Sequence, residues 1–177
     1  MTLHDTFVQE FETAFVLLTK GYAPEEIAGL GVHSDTDASG LVFAAHSKSD
    51  ELEQLAAYPE FPSDAIWSIG DWDIHLAQED SRSGPQDHVN DALDRAAADL
   101  GDDIHALRAL VWGSIVDAMA TLHQRGFFDQ WPESVRAFMV MDGSLDGHEV
   151  YAWHTRFNGE EKLSKLPTFL EIEGDRV

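Results

Sequence analysis

The stretch from Ile104 to Arg125 carries an apolar residue at every third or fourth position. The repeating residues are Ile104, Leu107, Val111, Ile115, Met119 and Leu122. Asp102 and Asp103 precede the stretch and suit the positive end of a helix, and Gly126 ends it. The spacing predicts one long helix with an apolar face. Because a lone helix cannot bury such a face, the chain must fold a second layer against it.

Two further segments show helical spacing. Residues from Thr2 to Lys20 repeat Leu3, Phe7, Phe11, Phe15 and Leu18. A later segment, which ends at Gly101, repeats Val89, Ala92, Leu93, Ala96 and Leu100. Both patterns predict amphipathic helices. Ser49 is predicted to cap a short helix between the first helix and the later ones.

Four short apolar runs predict strands. Ile27 to His33 and Leu41 to His46 flank a turn-rich linker, which favours an antiparallel hairpin. Val135 to Met141 and Glu149 to Phe157 flank the turn-rich residues 142–147, which favours a second hairpin. Between the hairpins, Pro59 and Pro62 predict an extended segment that leads into Trp67 and Trp72.

The order of these elements predicts the fold class. We expect an α+β protein, a mostly antiparallel sheet of two hairpins with helices packed on one face. With 177 residues the chain most simply forms a single domain, which we place at residues 1–177.

The charge balance limits the partners. Asp and Glu number 33 against 11 Lys and Arg, so the formal net charge is -22. The negative potential repels nucleic acids and anionic membranes and attracts a basic protein partner. The alternative is that the acidity serves only to keep the protein in solution. There is no cysteine, no amino-terminal signal pattern and no apolar run of membrane-spanning length, so we expect a cytoplasmic protein.

The sequence lacks the strong signatures of catalysis, including a His-Glu-x-x-His pattern, a phosphate-binding glycine loop and a nucleophile elbow. Asp71, Asp73 and His75 alternate in the predicted extended segment, so they would project from one face. Such a set could serve acid–base or metal chemistry, but a solvent-facing strand also alternates polar residues. We therefore expect no catalytic activity, no cofactor and no required metal.

The candidates for partner binding are Trp67, Asp71, Trp72, Asp73, Phe128 and Trp131. Trp67 and Trp72 lie beside Asp71 and Asp73, and a second aromatic group, which includes Phe128 and Trp131, follows the long helix. Large aromatic side chains anchor many interfaces, but they also dominate cores. The two interpretations, surface anchor and core packing, stay open for all four aromatic residues.

Several motifs are spread along the chain: residues 27–33 (Ile-Ala-Gly-Leu-Gly-Val-His), 47–52 (Ser-Lys-Ser-Asp-Glu-Leu), 58–62 (Tyr-Pro-Glu-Phe-Pro), 67–72 (Trp-Ser-Ile-Gly-Asp-Trp) and 122–128 (Leu-His-Gln-Arg-Gly-Phe-Phe). Together they resemble the bacterial family called domain of unknown function 4303. The family pattern of a tryptophan followed by an acid–tryptophan pair is similar to Trp67, Asp71 and Trp72, with Asp71 where glutamate is more usual.

This resemblance implies a fold but no catalytic residues. Members resemble small proteins encoded beside bacterial toxins, where comparable acidic proteins bind and block a toxin domain. The leading hypothesis is therefore an immunity-type inhibitor that binds a basic toxin domain. The alternatives are a structural or adaptor protein and an enzyme that uses Asp71, Asp73 and His75.

Overall fold

The computed structural model describes residues 2–60, 62–77, 84–141 and 147–164. Its helices and strands follow the chain in this order: α1 (Leu3–Leu18), β1 (Ile27–Ser34), β2 (Leu41–Ser47), α2 (Lys48–Ala57), α3 (Pro62–Trp67), β3 (Ile74–His75), α4 (Pro85–Leu100), α5 (Ile104–Gln124), β4 (Val135–Val140), α6 (Gly147–His154) and α7 (Glu160–Leu163). Short 3-10 helices cover Pro24–Glu26, Ile69–Asp71 and Phe127–Gln130. The protein is α+β, as the sequence predicts.

Helices α1, α4 and α5 bury apolar side chains in the same core as strands β1 and β2. Thr2 and Asp5 exchange hydrogen bonds at the start of α1 in a capping box, which fixes where this helix begins. Its buried face presents Phe11 and Phe15 to Phe43 of β2, with ring centroids 5.2 and 6.2 Å apart. The apolar face of α5 is buried against the same core, which confirms the prediction for residues 104–125.

The sheet is mixed rather than built from two hairpins. Its strand order is β3-β2-β1-β4. The first predicted hairpin is confirmed, because β1 and β2 pair antiparallel. Strand β4 pairs parallel with β1, in a register that sets Gly29 opposite Val135. A parallel neighbour needs a long crossover, and the chain between these two strands includes α4 and α5.

The predicted strand at residues 149–157 is wrong, because the chain forms α6 from Gly147 to His154. Val150, Trp153 and Phe157 are spaced by three and four residues, so they fit a helical period better than a strand period. The turn predicted at 142–147 lies mostly outside the described residues, which resume at Gly147.

Other elements pack on both faces of the sheet, whereas the sequence predicts helices on one face only. The second face buries Trp67, Ile69 and Trp72 against residues such as Ala44 and Ala137. The extended segment predicted from the prolines is also wrong, since Pro62 is the first residue of α3. A proline suits that position because the first turn of a helix needs no backbone donor there.

Two side chains at and after the end of α6, those of His154 and Asn158, hydrogen-bond to the backbone along the outer edge of β4. The amide of Arg136 donates to the Asn158 side chain at 2.8 Å, and the Asn158 amide returns a bond to the Arg136 carbonyl. The amide of Phe138 donates to Nε2 of His154 at 3.2 Å, while Nδ1 of His154 donates to the Val150 carbonyl. These bonds satisfy an edge that would otherwise offer unpaired backbone groups.

No helix in the described ranges combines the length and the apolar composition that a membrane crossing requires.

His154 can make both of its bonds only as the neutral ring. It is fully buried, and this burial lowers its pKa to about 4, although the bond to Val150 opposes the shift. Protonation would turn Nε2 into a donor that faces the donor amide of Phe138.

We expect the free energy of unfolding to fall as the pH drops from about 6.5 towards 4, because unfolded His154 then binds a proton that the folded state does not. The titration of His154 alone should lower the free energy of unfolding by about 2 kcal/mol between about pH 8 and pH 5. Urea unfolding of wild type and His154→Gln at both pH values measures it. The wild type should lose about 2 kcal/mol more than the variant, and equal losses would contradict the assignment.

Candidate functional site

The site begins with two glycines of β1 that admit an indole ring. A Cβ added at Gly29 would lie 2.8 Å from Cη2 of Trp72, and one added at Gly31 would lie 2.8 Å from Cζ3 of the same ring. Real side chains do not tolerate such distances, so only glycine lets Trp72 approach the strand this closely. Trp72 is consequently buried on the second face of the sheet.

Trp72 in turn orients a histidine at the end of β2. The rings of Trp72 and His46 are stacked, with centroids 5.5 Å apart and planes inclined by 14°. His46 is only 1% exposed, and its Nε2 lies 3.0 Å from Oδ2 of Asp50. Asp50 belongs to the first turn of α2, so this contact joins the strand to the helix that follows it.

Ser47 is the N-cap of α2 and also hydrogen-bonds to Asp73, which brings Asp73 beside the start of this helix. Its hydroxyl accepts the Asp50 amide at 3.1 Å and donates to Oδ2 of Asp73 at 2.7 Å. The Ser47 amide donates to Oδ1 of Asp73 at 2.8 Å. The helix cap is therefore Ser47 and not the predicted Ser49, because the chain enters the helix two residues earlier.

We call His46, Asp50 and Asp73 the His46 cluster. One potential ligand atom from each of these residues lies within 4.8 Å of the others. The side-chain amide of Gln54 donates to Oδ2 of Asp50 at 2.7 Å and to the Asp71 carbonyl at 3.1 Å. An imidazole and two carboxylates are thus held close together, with Asp73 exposed to solvent.

The predicted set of Asp71, Asp73 and His75 does not share a strand face. Asp71 lies in a 3-10 helix, where its carboxylate accepts the Ser68 hydroxyl at 2.8 Å. Strand β3 contains only Ile74 and His75, so the alternation that the sequence predicted is absent. The prediction failed because the segment is mostly not extended. His75 instead lines a cavity of about 550 Å³ at the edge of the sheet, together with Gln86 of α4.

The four predicted aromatic anchors are core residues. Trp67, Trp72, Phe128 and Trp131 are each between 0 and 4% exposed. Phe128 packs on Phe15 of α1, with ring centroids 5.8 Å apart. Of the two interpretations, core packing therefore describes this fold, and none of the four presents a surface anchor. Of the predicted partner-binding residues, only Asp71 and Asp73 are exposed.

Two cationic side chains, the buried Arg136 and the half-buried Lys162, also have a structural role. The Arg136 guanidinium donates to the Phe128 carbonyl at 3.1 Å and lies over the Phe128 ring. Lys162 donates to the carbonyls of Pro132 and Ser134, and burial, followed by the charge of Arg136, lowers its pKa to about 8. These side chains satisfy carbonyl groups around the 3-10 turn that follows α5.

The exposed apolar side chains lie elsewhere, on α2 and the turn after it. Tyr58 is 62% exposed and Leu52 is 58% exposed, the highest values for large apolar side chains in the described ranges. We call the exposed residues from Leu52 to Glu60 the α2 face. The sequence pattern does not indicate this face, because Leu52 fits a helical apolar repeat, which predicts burial when it is considered alone.

The α2 face belongs to a segment of the sequence with a large excess of acidic over basic residues. From Ser49 to Ser81 the sequence contains nine Asp or Glu residues and no Lys or Arg. Glu53 and Glu60 are exposed within the face, and Asp71 is connected to α2 through Gln54. Exposed apolar side chains beside exposed acids such as Glu53 and Glu60 favour a partner that is basic around an apolar centre.

Comparison with known families bears out the resemblance. The family model described as domain of unknown function (DUF4303) matches residues 9–147, from α1 into the start of α6. No curated protein and no solved structure matches the chain. The chain belongs to the DUF4303 family, and the match includes the His46 cluster and the α2 face.

The cap of α2 gives a direct test of the site geometry. We expect Ser47→Ala to lower the free energy of unfolding by about 1 to 2 kcal/mol, because it removes the cap and the bond to Asp73. Ser49→Ala is the matched control, because Ser49 is exposed and its substitution removes only the 3.1 Å contact with the Ser47 hydroxyl, not the cap, so it should cost less than Ser47→Ala. Urea denaturation measures both. A larger cost for Ser49→Ala would contradict the geometry.

Proposed function

We propose that this DUF4303 member is a non-catalytic protein-binding module, an immunity-type inhibitor that binds and blocks a basic bacterial toxin domain through the α2 face. One observation carries the proposal. The two most exposed large apolar side chains of the described residues, Leu52 and Tyr58, occupy a 33-residue stretch, 49–81, that contains nine acids and no Lys or Arg.

Charge and apolar contact have separate tasks in this proposal. The acidic stretch attracts a basic domain over a distance of roughly 10 Å and aligns it before contact, which raises the association rate. Leu52 and Tyr58 then lose their contact with water against the partner, which slows dissociation. Blocking follows if the partner's basic surface surrounds its active site, as it does in enzymes that act on anionic polymers.

The alternative enzyme would use Asp71, Asp73 and His75. Both oxygens of Asp73 accept hydrogen bonds from Ser47, and the Asp71 carboxylate accepts one from Ser68. Each carboxylate therefore already stabilises the local backbone and turn structure. This weakens the enzyme alternative. The adaptor alternative would use the same α2 face without inhibition, and only a functional assay separates it. The proposal places the protein in the cytoplasm, where it would meet a toxin made by its own cell.

The first experiment measures binding to the effector encoded by the neighbouring gene. Surface plasmon resonance between about 50 and 500 mM salt should show an association rate that falls steeply, while the dissociation rate changes less. Co-expression should also protect cells from that effector. Binding without protection would favour the adaptor, and no binding to the effector at any salt concentration would contradict the proposal.

The second experiment locates the surface. We expect Leu52→Ala and Tyr58→Ala each to raise the dissociation rate at least about tenfold, as truncation of an interface anchor does. Val16→Ala is the matched control, because Val16 is also an exposed apolar residue but lies on α1. It should leave the rate unchanged. If the three variants behaved alike, the α2 face would not be the interface.

A further inference from the structure

We propose that the His46 cluster binds a divalent transition-metal ion of the zinc class, through the His46 imidazole and the Asp50 and Asp73 carboxylates. This site is independent of the proposed inhibitor function. It uses a different set of residues from Asp71, Asp73 and His75, for which we expected no required metal.

The ligand atoms already converge from three separate parts of the chain. His46 comes from the end of β2, Asp50 from the first turn of α2 and Asp73 from the residue before β3. Their potential ligand atoms lie within 4.8 Å of one another. Ligands around a tetrahedral zinc ion stand about 3.3 Å apart. Nε2 of His46 and Oδ2 of Asp50 are already 3.0 Å apart, so only the distances to Asp73 need to close, by at most roughly 1.5 Å. The carboxylates of Asp50 and Asp73 are less buried than His46, so they are the groups that would move to close the set.

The surroundings hold each ligand in place. The imidazole of His46 is buried and stacked on Trp72, which fixes its plane. Gln54 donates to the carboxylate of Asp50, and Ser47 donates twice to that of Asp73. Hydrogen bonds of this kind orient the ligands in metal sites and lower the cost of arranging them on binding.

The chemistry of the set selects the class of ion. One imidazole nitrogen and two carboxylate oxygens suit zinc and neighbouring transition metals, whereas magnesium prefers oxygen ligands alone. Asp73 is exposed, so an ion can enter from solvent and water can complete its coordination. The acidic stretch from Ser49 to Ser81 further raises the local concentration of cations.

The test uses the full chain without a histidine tag, treated with a chelator and then dialysed. Isothermal titration with zinc chloride should show one saturable equivalent, and the melting temperature should rise with zinc. Asp50→Asn and Asp73→Asn should each weaken binding at least tenfold, while magnesium should not compete. Absence of a saturable equivalent would overturn the proposal.

Asp71→Asn is the matched control for the acidic surface. It removes the same charge from an exposed aspartate near α2 that is not part of the cluster. It should keep the wild-type zinc affinity. If Asp71→Asn weakened binding as much as Asp50→Asn, the ion would be held by diffuse negative charge and the site would be refuted.

A measurement on the wild type covers the case in which a variant fails to fold. Addition of cobalt(II), a paramagnetic substitute for zinc, should shift or broaden the ring proton signals of His46 in the nuclear magnetic resonance spectrum more than those of exposed His75. Unchanged His46 signals at saturating cobalt, or equal effects on both histidines, would overturn the proposal.

Discussion

The close approach of Trp72 to β1 is the contact on which the second face of the sheet depends. Gly29 and Gly31 leave room for the indole, which could not lie there above any residue with a Cβ. In this position Trp72 stacks on His46, and the next residue, Asp73, lies beside the start of α2. A core contact therefore sets the geometry of a polar cluster at the surface, and the glycine spacing in β1 serves packing rather than flexibility.

The parts of the fold that the sequence predicted correctly are those with strong local patterns. The three long helices repeat apolar residues over four or more turns, and β1 and β2 are joined by a recognisable turn. The parallel pairing of β4 with β1 joins residues more than 100 positions apart, so no local pattern reports it. The apolar run at 149–157 is short, and short runs do not distinguish a strand from a helix.

The candidate site was harder to predict for a related reason. Asp73 was identified from the sequence, but its partners His46 and Asp50 belong to other elements and meet it only in the fold. Aromatic residues such as Trp131 carry the same sequence signature whether they pack inside or anchor a partner. The exposure of Leu52 and Tyr58 was not predicted, because exposure is a property of the folded surface, and the helical pattern that includes Leu52 predicts burial when it is considered alone.

A double-mutant cycle tests the Trp72 contact most directly. In the wild-type background, Gly29→Ala should lower the free energy of unfolding by about 1 to 3 kcal/mol, because its Cβ would overlap the rigid indole. In a Trp72→Leu background the smaller side chain can yield, so the same substitution should cost at least about 1 kcal/mol less. Equal costs in the two backgrounds, within about 0.5 kcal/mol, would contradict the account.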